Sequence, residues 1–270
     1  MILRAACFAL ALWQVITGRA EEMICLPLKV HLVTGVEMVR EAKDPTGALV
    51  RTVMNMPLKE DEMRAVMEQV NVIWRPAGIG WQTDPKNGGG GIVTETAGGG
   101  KLGAEKLQEL AGLVTARSRG EEGESMKTVF PALADPAQNR SLSGEESKAE
   151  MYHLYVFPYV GQTLQGMARC PGTFAVIGAF SDKNPNQRGF PRARPLLVPA
   201  APGAGLQADD FPAEGALSAT AAHELGHNLG LRHSDEGMPD NLMKGHVKLR
   251  LSSAQIRDAR KQAMKGPRLQ

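Results

Sequence analysis

Three of the six histidines in this 270-residue chain lie within eleven positions, in the segment HELGHNLGLRH at residues 223–233. The surrounding residues 215–229 lack proline and are rich in alanine and leucine, which predicts a helix. His223 and His227 are four positions apart and would therefore project from one face of that helix. Any fold of this chain must accommodate two imidazoles stacked one turn apart.

A glycine in the same segment predicts how a third histidine joins the pair. A helix that continued past Gly230 would carry His233 round to another face, whereas glycine can adopt the left-handed conformation that ends a helix. His233 can then turn back towards the pair. Three imidazoles bind one zinc ion at about 2.0–2.1 Å and leave a fourth position open, as in catalytic rather than structural zinc sites.

The acidic residue beside the first histidine predicts a role in proton transfer. Water bound to such an ion has a pKa of about 7. Glu224 can point towards this water, take its proton and later pass it to a leaving amine. A zinc site kept only for structure would explain the helical histidine pair equally well, but it would not explain Glu224.

The pattern HExxHxxGxxH followed by a methionine is the signature of the metzincin zinc peptidases, and residues 223–233 resemble it in every fixed letter. Met243, in the sequence DNLM, resembles the methionine of the family's Met-turn, which forms an apolar floor beneath the metal. Simple core packing is the alternative interpretation of Met243 in a chain with 13 methionines. The dipeptide HS at 233–234 and the closing LSSAQIRDAR are similar to matrixin catalytic domains.

This resemblance implies a fold and a substrate. It implies an α+β, zincin/metzincin-like fold with a mixed twisted sheet, an active-site helix and a small C-terminal subdomain that ends in a helix. It also implies that Gly166, Met167 and Ala168 belong to an edge strand lining the cleft, where an extended protein or peptide substrate would pair antiparallel.

Hydrophobic patterning independently predicts a mixture of strands and helices without regular alternation, which favours an α+β architecture. The predicted strands are 28–33, 79–83, 152–160 and 173–180, and the predicted helices are 58–74, 215–229 and 251–264. Ser252 or Ser253 is expected to cap the last helix.

Two segments are predicted to be irregular within a single catalytic domain spanning residues 21–270. The glycine-rich segment 84–103 has no Lys-Ser or Lys-Thr pair after its glycines, so a flexible loop is favoured over a phosphate-binding loop. The proline-rich segment 183–212 is expected to be a surface insertion.

The first twenty residues predict export from the cell. They contain an early arginine, an apolar run and small residues near position 20, which is typical of a signal peptide over residues 1–20. A membrane anchor is the alternative, but the apolar run is short for a bilayer span. We therefore expect a secreted protein, extracellular or periplasmic, with no membrane contact after cleavage.

Charge argues against nucleic acid as a partner. Cleavage would remove two of the 31 lysines and arginines and leave 29, which balance the 29 acidic residues. A chain with zero net charge gives no electrostatic reason to bind a polyanion.

Cleavage would also leave two cysteines, Cys25 and Cys170. An even pair in an exported protein suggests a disulfide between them. The alternative, Cys25 as the lipid-bearing first residue of a lipoprotein, lacks the small residues expected just before it.

Together these features predict a monomeric, secreted zinc metalloendopeptidase that uses one Zn²⁺. His223, His227 and His233 would be the ligands, and Glu224 the general base and acid. A binding protein that keeps zinc for stability on a peptidase fold is the rival hypothesis. A thermolysin-like peptidase is a further alternative, in which a downstream glutamate would replace His233 as the third ligand.

Overall fold

The computed structural model describes residues 23–43, 46–96, 111–112, 151–160, 165–180, 217–233, 241–244 and 249–269. The predicted signal peptide at 1–20 and the predicted insertion at 183–212 lie outside these ranges. None of the described helices is both long and apolar enough to span a lipid bilayer.

The described strands form one mixed sheet of six strands and a separate hairpin. The strands are β1 (Ile24–Thr34), β2 (Met38–Lys43), β3 (Leu49–Met54), β4 (Ile79–Gln82), β5 (Gly91–Thr96), β6 (Tyr152–Tyr159), β7 (Gly166–Ala168) and β8 (Phe174–Phe180). β2 and β3 pair antiparallel as the hairpin.

The long strand β1 organises the large sheet. Along one side its first half pairs with β4 and its second half with β5, and along the other side it pairs with β6, all of them parallel. β8 pairs parallel with β6, and β7 closes the described sheet as an antiparallel edge strand.

Three described helices accompany the sheet: α1 (Glu60–Trp74), α2 (Leu217–Asn228) and α3 (Ser253–Ala263). Alternate residues of β1, including Leu28 and Leu32, enter a core shared with apolar residues of all three helices. The side chain of Ser252 caps α3 by accepting from the Gln255 amide, as the sequence predicted. The predicted α+β architecture with a mixed sheet is therefore confirmed.

The segment 84–103, predicted to be a loop, contains strand β5 in its described part. The glycines before this strand allow it to lie against β1, since a Cβ on Gly90 would approach the Cβ of Lys29 to 2.4 Å. The Gly90 amide donates to the Leu28 carbonyl at 3.0 Å. The glycines thus form a close turn onto the sheet, and the β-branched residues after them form a strand.

The predicted disulfide is wrong, because no bond joins Cys25 to Cys170. Cys25 lies in β1, whereas Cys170 follows β7, which is three strands away in the sheet. Neighbouring strands are about 4.8 Å apart, so the separation across the sheet is roughly 14 Å, while a disulfide spans at most about 6.8 Å between Cα atoms. The Cys170 thiol instead donates to the Leu231 carbonyl at 3.3 Å.

Candidate metal centre

The end of α2 has the geometry that the sequence predicted at Gly230. Gly230 has a φ of +79°, its amide donates to the His227 carbonyl at 2.9 Å, and the Leu231 amide donates to the Gly226 carbonyl at 3.0 Å. These two bonds are those of a Schellman motif, which terminates a helix at a left-handed glycine. The chain therefore turns back immediately before His233.

The turn brings the three histidines together. The Nε2 atom of His233 lies 3.1 Å from Nε2 of His223 and 3.2 Å from Nε2 of His227. Two nitrogens that bind one tetrahedral zinc ion at about 2.0–2.1 Å are roughly 3.3–3.4 Å apart. The spacing of the rings therefore fits a shared zinc ion.

Backbone carbonyls orient two of these rings. His223 Nδ1 lies 2.7 Å from the Leu242 carbonyl oxygen, and His227 Nδ1 lies 2.6 Å from that of Leu231. Each neutral ring therefore donates its single N–H at Nδ1 and keeps an unprotonated Nε2. Burial lowers the pKa of His227, which favours the neutral, metal-binding form, although its hydrogen bond to Leu231 acts in the opposite direction.

The donor set itself calls for a cation. His233 Nε2 lies close to the unprotonated Nε2 atoms of both His223 and His227. A single proton on His233 Nε2 can form a hydrogen bond with only one of them, so at least one pair of nitrogen lone pairs is in repulsive contact. A metal ion between them would replace this repulsion with coordination, so the three rings fit a shared cation. Among the residues that the structure describes, no further histidine, cysteine or carboxylate donor joins the cluster.

Exposure increases across the cluster. His223 is buried, His227 is half-buried and His233 is exposed. A cation at the three Nε2 atoms would therefore lie between the protein interior and solvent, where a small molecule or a chain segment can reach it.

Glu224 follows the first histidine of this cluster in sequence, and its side chain packs against the edge strand β7. A Cβ on Gly166 would come within 2.7 Å of the Glu224 Cγ, so the glutamate side chain lies directly against β7. Glu224 is buried, and its Oε2 has no hydrogen-bond partner among the described residues. Burial raises the pKa of Glu224 to about 8, and a cation nearby would act in the opposite direction.

Met243 packs against α2 at Gly226 and belongs to the hydrophobic core. A Cβ on Gly226 would come within 2.8 Å of the Met243 sulfur, and Met243 is fully buried. Sequence reasoning missed the role of Gly226. A glycine inside a helix costs about 1 kcal/mol relative to alanine, and this cost was the available signal that a close contact requires it.

The loop between β7 and β8 is fastened to the end of α2. The Asn228 side-chain amide donates to the carbonyls of Phe174 at 2.7 Å and Arg169 at 3.2 Å. Burial raises the pKa of the Cys170 thiol, which keeps it protonated as a donor to the Leu231 carbonyl. That carbonyl also accepts from His227, so this loop supports a ligand of the candidate site.

The edge strand presents backbone groups of two residues outwards. The Gln165 carbonyl accepts from the Gly178 amide, and the Arg169 amide donates to the Phe174 carbonyl, so the odd-numbered residues of this stretch pair with β8. Backbone groups alternate in direction along an antiparallel strand. The amides and carbonyls of Gly166 and Ala168 therefore point away from β8.

Comparison with solved structures gives neighbours of low sequence identity. Mature mirolysin of Tannerella forsythia, solved in complex with a cleaved peptide, matches with 14% sequence identity and a TM-score of 0.44, covering 89% of this chain and 92% of that chain. Mirolysin in complex with compound 9 matches with 14% identity, the same coverage and a TM-score of 0.43. No protein-family model matches the chain, and no curated protein matches it.

Proposed function

We propose that this protein is an exported, zinc-dependent endopeptidase of the metzincin type, with matrixin-like motifs and one catalytic domain over residues 21–270. The convergence of three histidine Nε2 atoms, with a buried glutamate directly after the first histidine in sequence, carries this proposal. His223, His227 and His233 would hold the ion. When bound, zinc would supply Lewis-acid polarisation of a substrate carbonyl and of water.

The side chains of the protein supply the remaining functions. Glu224 follows His223 in sequence and has a buried oxygen with no hydrogen-bond partner among the described residues, which suits it to accept a proton and return it to the leaving amine. The Leu242 and Leu231 carbonyls hold two ligand rings with Nε2 unprotonated. The position of His233 within the cluster favours a metzincin over a thermolysin-like site, in which this residue would have no role.

A substrate peptide would pair with the outer edge of β7. The backbone groups of Gly166 and Ala168 are available there, and the Glu224 side chain packs against Gly166. An extended peptide added to this edge would run beside the metal centre with its scissile bond near Glu224. We therefore propose a protein or peptide substrate bound as an additional antiparallel strand.

Metal analysis and proteolysis of casein by the purified protein test this function. We expect about one zinc ion per chain, hydrolysis that a chelator stops, and recovery on addition of zinc. Glu224→Gln should retain zinc but lower the rate by about 10²–10⁴-fold, the usual contribution of a general acid–base group. Glu68→Gln, on an exposed position of α1, is the matched control and should retain both properties.

Two results would contradict the proposal. Undiminished hydrolysis by Glu224→Gln would remove the assigned mechanism. Unfolding on chelation, with no proteolysis by the zinc-loaded protein, would favour the rival hypothesis of a zinc-stabilised binding protein.

The binding mode is tested separately by Ala168→Pro. This change removes the outward amide of β7 and leaves the amides that pair with β8 in place. We expect a higher KM for peptide substrates with unchanged zinc content. An unchanged KM would show that substrates do not pair with this edge.

A further inference from the structure

Two buried carboxamides connect the turn that carries Met243 to the start of α3. Asn241 Nδ2 donates to Gln255 Oε1 at 2.9 Å, and Gln255 Nε2 donates to Asn241 Oδ1 at 3.0 Å. Their exposed fractions are only 1% and 8%. Each amide is at once donor and acceptor, so the two side chains satisfy each other in a reciprocal pair.

Each carboxamide also holds a backbone group. Asn241 Oδ1 accepts from the Met243 amide at 2.8 Å, and Gln255 Oε1 accepts from the Ser252 amide at 2.9 Å. Leu242 lies between Asn241, whose side chain is bound by Gln255, and Met243, whose amide is bound by Asn241. The Leu242 amide donates to the Arg250 carbonyl. The carboxamide pair thus fixes the backbone on both sides of Leu242.

The carbonyl of Leu242 is the group that orients a candidate metal ligand. It accepts from His223 Nδ1 at 2.7 Å and so leaves Nε2 of this ring unprotonated beside His233. Loss of the Gln255 side chain would remove the acceptor of the buried Asn241 Nδ2 and of the Ser252 amide, while Asn241 Oδ1 would keep only the Met243 amide. A buried polar group left unsatisfied costs about 1–3 kcal/mol. The turn would rearrange to recover these bonds and would move the Leu242 carbonyl.

We infer that Gln255 is a positioning residue of the metal centre, acting through Asn241 and the Leu242 carbonyl on the tautomer and orientation of His223. The inference rests on the proposed function only in treating the three histidines as zinc ligands. It assigns to the C-terminal helix α3 a role in metal affinity as well as in packing.

The competing explanation is that Gln255 only caps α3. Its backbone amide donates to Ser252 Oγ at 3.2 Å, which completes a capping box. Ser252→Ala removes that bond but leaves the carboxamide pair intact, so it is a matched control for loss of helix stability. Gln255→Met keeps the length of the side chain and removes the pair.

Zinc dissociation constants, measured by competition with a chromophoric chelator, separate the two explanations. We expect Ser252→Ala to lower the Tm with a Kd within twofold of the wild-type protein. Gln255→Met should raise the Kd about tenfold, within the range known for residues that support a metal ligand. It should also alter the d–d absorption bands of the Co²⁺-substituted protein, whereas Ser252→Ala should not. Equal Kd values and unchanged Co²⁺ spectra for the two variants would overturn the inference.

Gln255→Glu provides a second test that does not depend on the methionine variant folding. An ionised carboxylate cannot donate to Asn241 Oδ1, whereas a protonated carboxyl group can restore that bond. At pH 8, where an ordinary glutamate is ionised, Gln255→Glu should therefore raise the zinc Kd about tenfold, and a Kd within twofold of the wild-type value would contradict the inference. Absence of zinc binding by the wild-type protein would instead refute the proposed function.

Discussion

At the scale of single residues, the candidate site depends on a glycine that leaves room for the glutamate. A Cβ on Gly166 would approach the Glu224 Cγ to 2.7 Å and the Val176 carbonyl oxygen to 2.8 Å. Neither neighbour can retreat easily, because Glu224 is buried and the carbonyl belongs to the adjacent strand β8. The absence of a side chain at this position therefore determines where Glu224 lies.

Gly166→Ala should consequently lower kcat for peptide hydrolysis by about tenfold or more, since displacement by about 1 Å can cost 10²-fold. Its zinc content should stay at the wild-type level because the three histidines lie on other segments. Gly80→Ala is the matched control, since a Cβ there meets only the Met23 sulfur at 3.9 Å. Steady-state kinetics with one fluorogenic peptide, together with metal analysis, would check this. Equal kcat values for the two variants would contradict the steric argument.

The side chains of the candidate site were predictable from the sequence, but most of the groups that support them were not. The spacing of His223, His227 and His233 dictates their convergence once a helix and a left-handed glycine are assumed. The Leu242 carbonyl, by contrast, is a backbone group, and its position depends on the contact between Asn241 and Gln255, fourteen residues apart. A sequence without its fold gives no sign of such a contact.

At the scale of elements, the end of α2 decides whether the third histidine reaches the other two. Gly230 adopts a φ of +79°, which costs a residue with a Cβ roughly 1–2 kcal/mol. Gly47, between β2 and β3, has a φ of +87°, and a Cβ added to it would meet no atom within 4 Å. The two glycines carry the same backbone penalty, but only Gly230 controls His233.

We therefore expect Gly230→Ala and Gly47→Ala to lower the free energy of unfolding of the metal-free protein by a similar amount, about 1–2 kcal/mol. Gly230→Ala should in addition weaken zinc binding, because a helix extended by one residue moves His233 away. Urea unfolding without metal and zinc titration would measure the two effects. Zinc affinity reduced equally in both variants would indicate a general effect of stability instead.

Elements with a strong apolar pattern were predictable, and elements defined by their partners were not. The strands β6 and β8 and the helix α1 begin and end within about two residues of the predicted bounds. The β2–β3 hairpin was missed because neither strand has a regular apolar alternation. β3 (LVRTVM) is exposed along almost its whole length, and β2 (MVREAK) buries Met38 at its start but continues without a repeating apolar pattern. β5 was missed because its glycine-rich approach resembles a loop, although it pairs with β1 over six residues.

At the scale of the whole molecule, the sheet buries a polar cluster on the face opposite to the helices. His31 Nδ1 lies 3.0 Å from Glu95 Oε1, and His31 Nε2 lies 3.0 Å from His153 Nδ1. The ring of His31 stacks on Tyr155 with centroids 4.2 Å apart. Both histidines are almost fully buried, so this cluster couples the stability of β1, β5 and β6 to their protonation state.

Burial lowers the pKa of both histidines from the ordinary value of 6.5. For His153, burial is reinforced by His31 and Lys29, and the pKa falls to about 2. For His31, burial outweighs the hydrogen bond and the charge of Glu95, which act in the opposite direction. Both rings are therefore neutral in the folded protein at pH 7, with His31 donating Nδ1–H to Glu95 and accepting from His153.

Because the folded-state pKa values lie below 6.5, the unfolded chain takes up protons first as the pH falls. The two neutral rings make their full contribution to the free energy of unfolding above about pH 6.5. Below that pH the contribution decreases, by up to about 1.4 kcal/mol per pH unit for each histidine. Urea unfolding of the metal-free protein between pH 8 and pH 5 should show this slope, and the double variant His31→Phe, His153→Phe should show a slope smaller by about 1–3 kcal/mol per pH unit. The variant keeps a ring at each position and removes the titrating groups. Identical slopes for the two proteins would mean that these histidines do not link folding to pH.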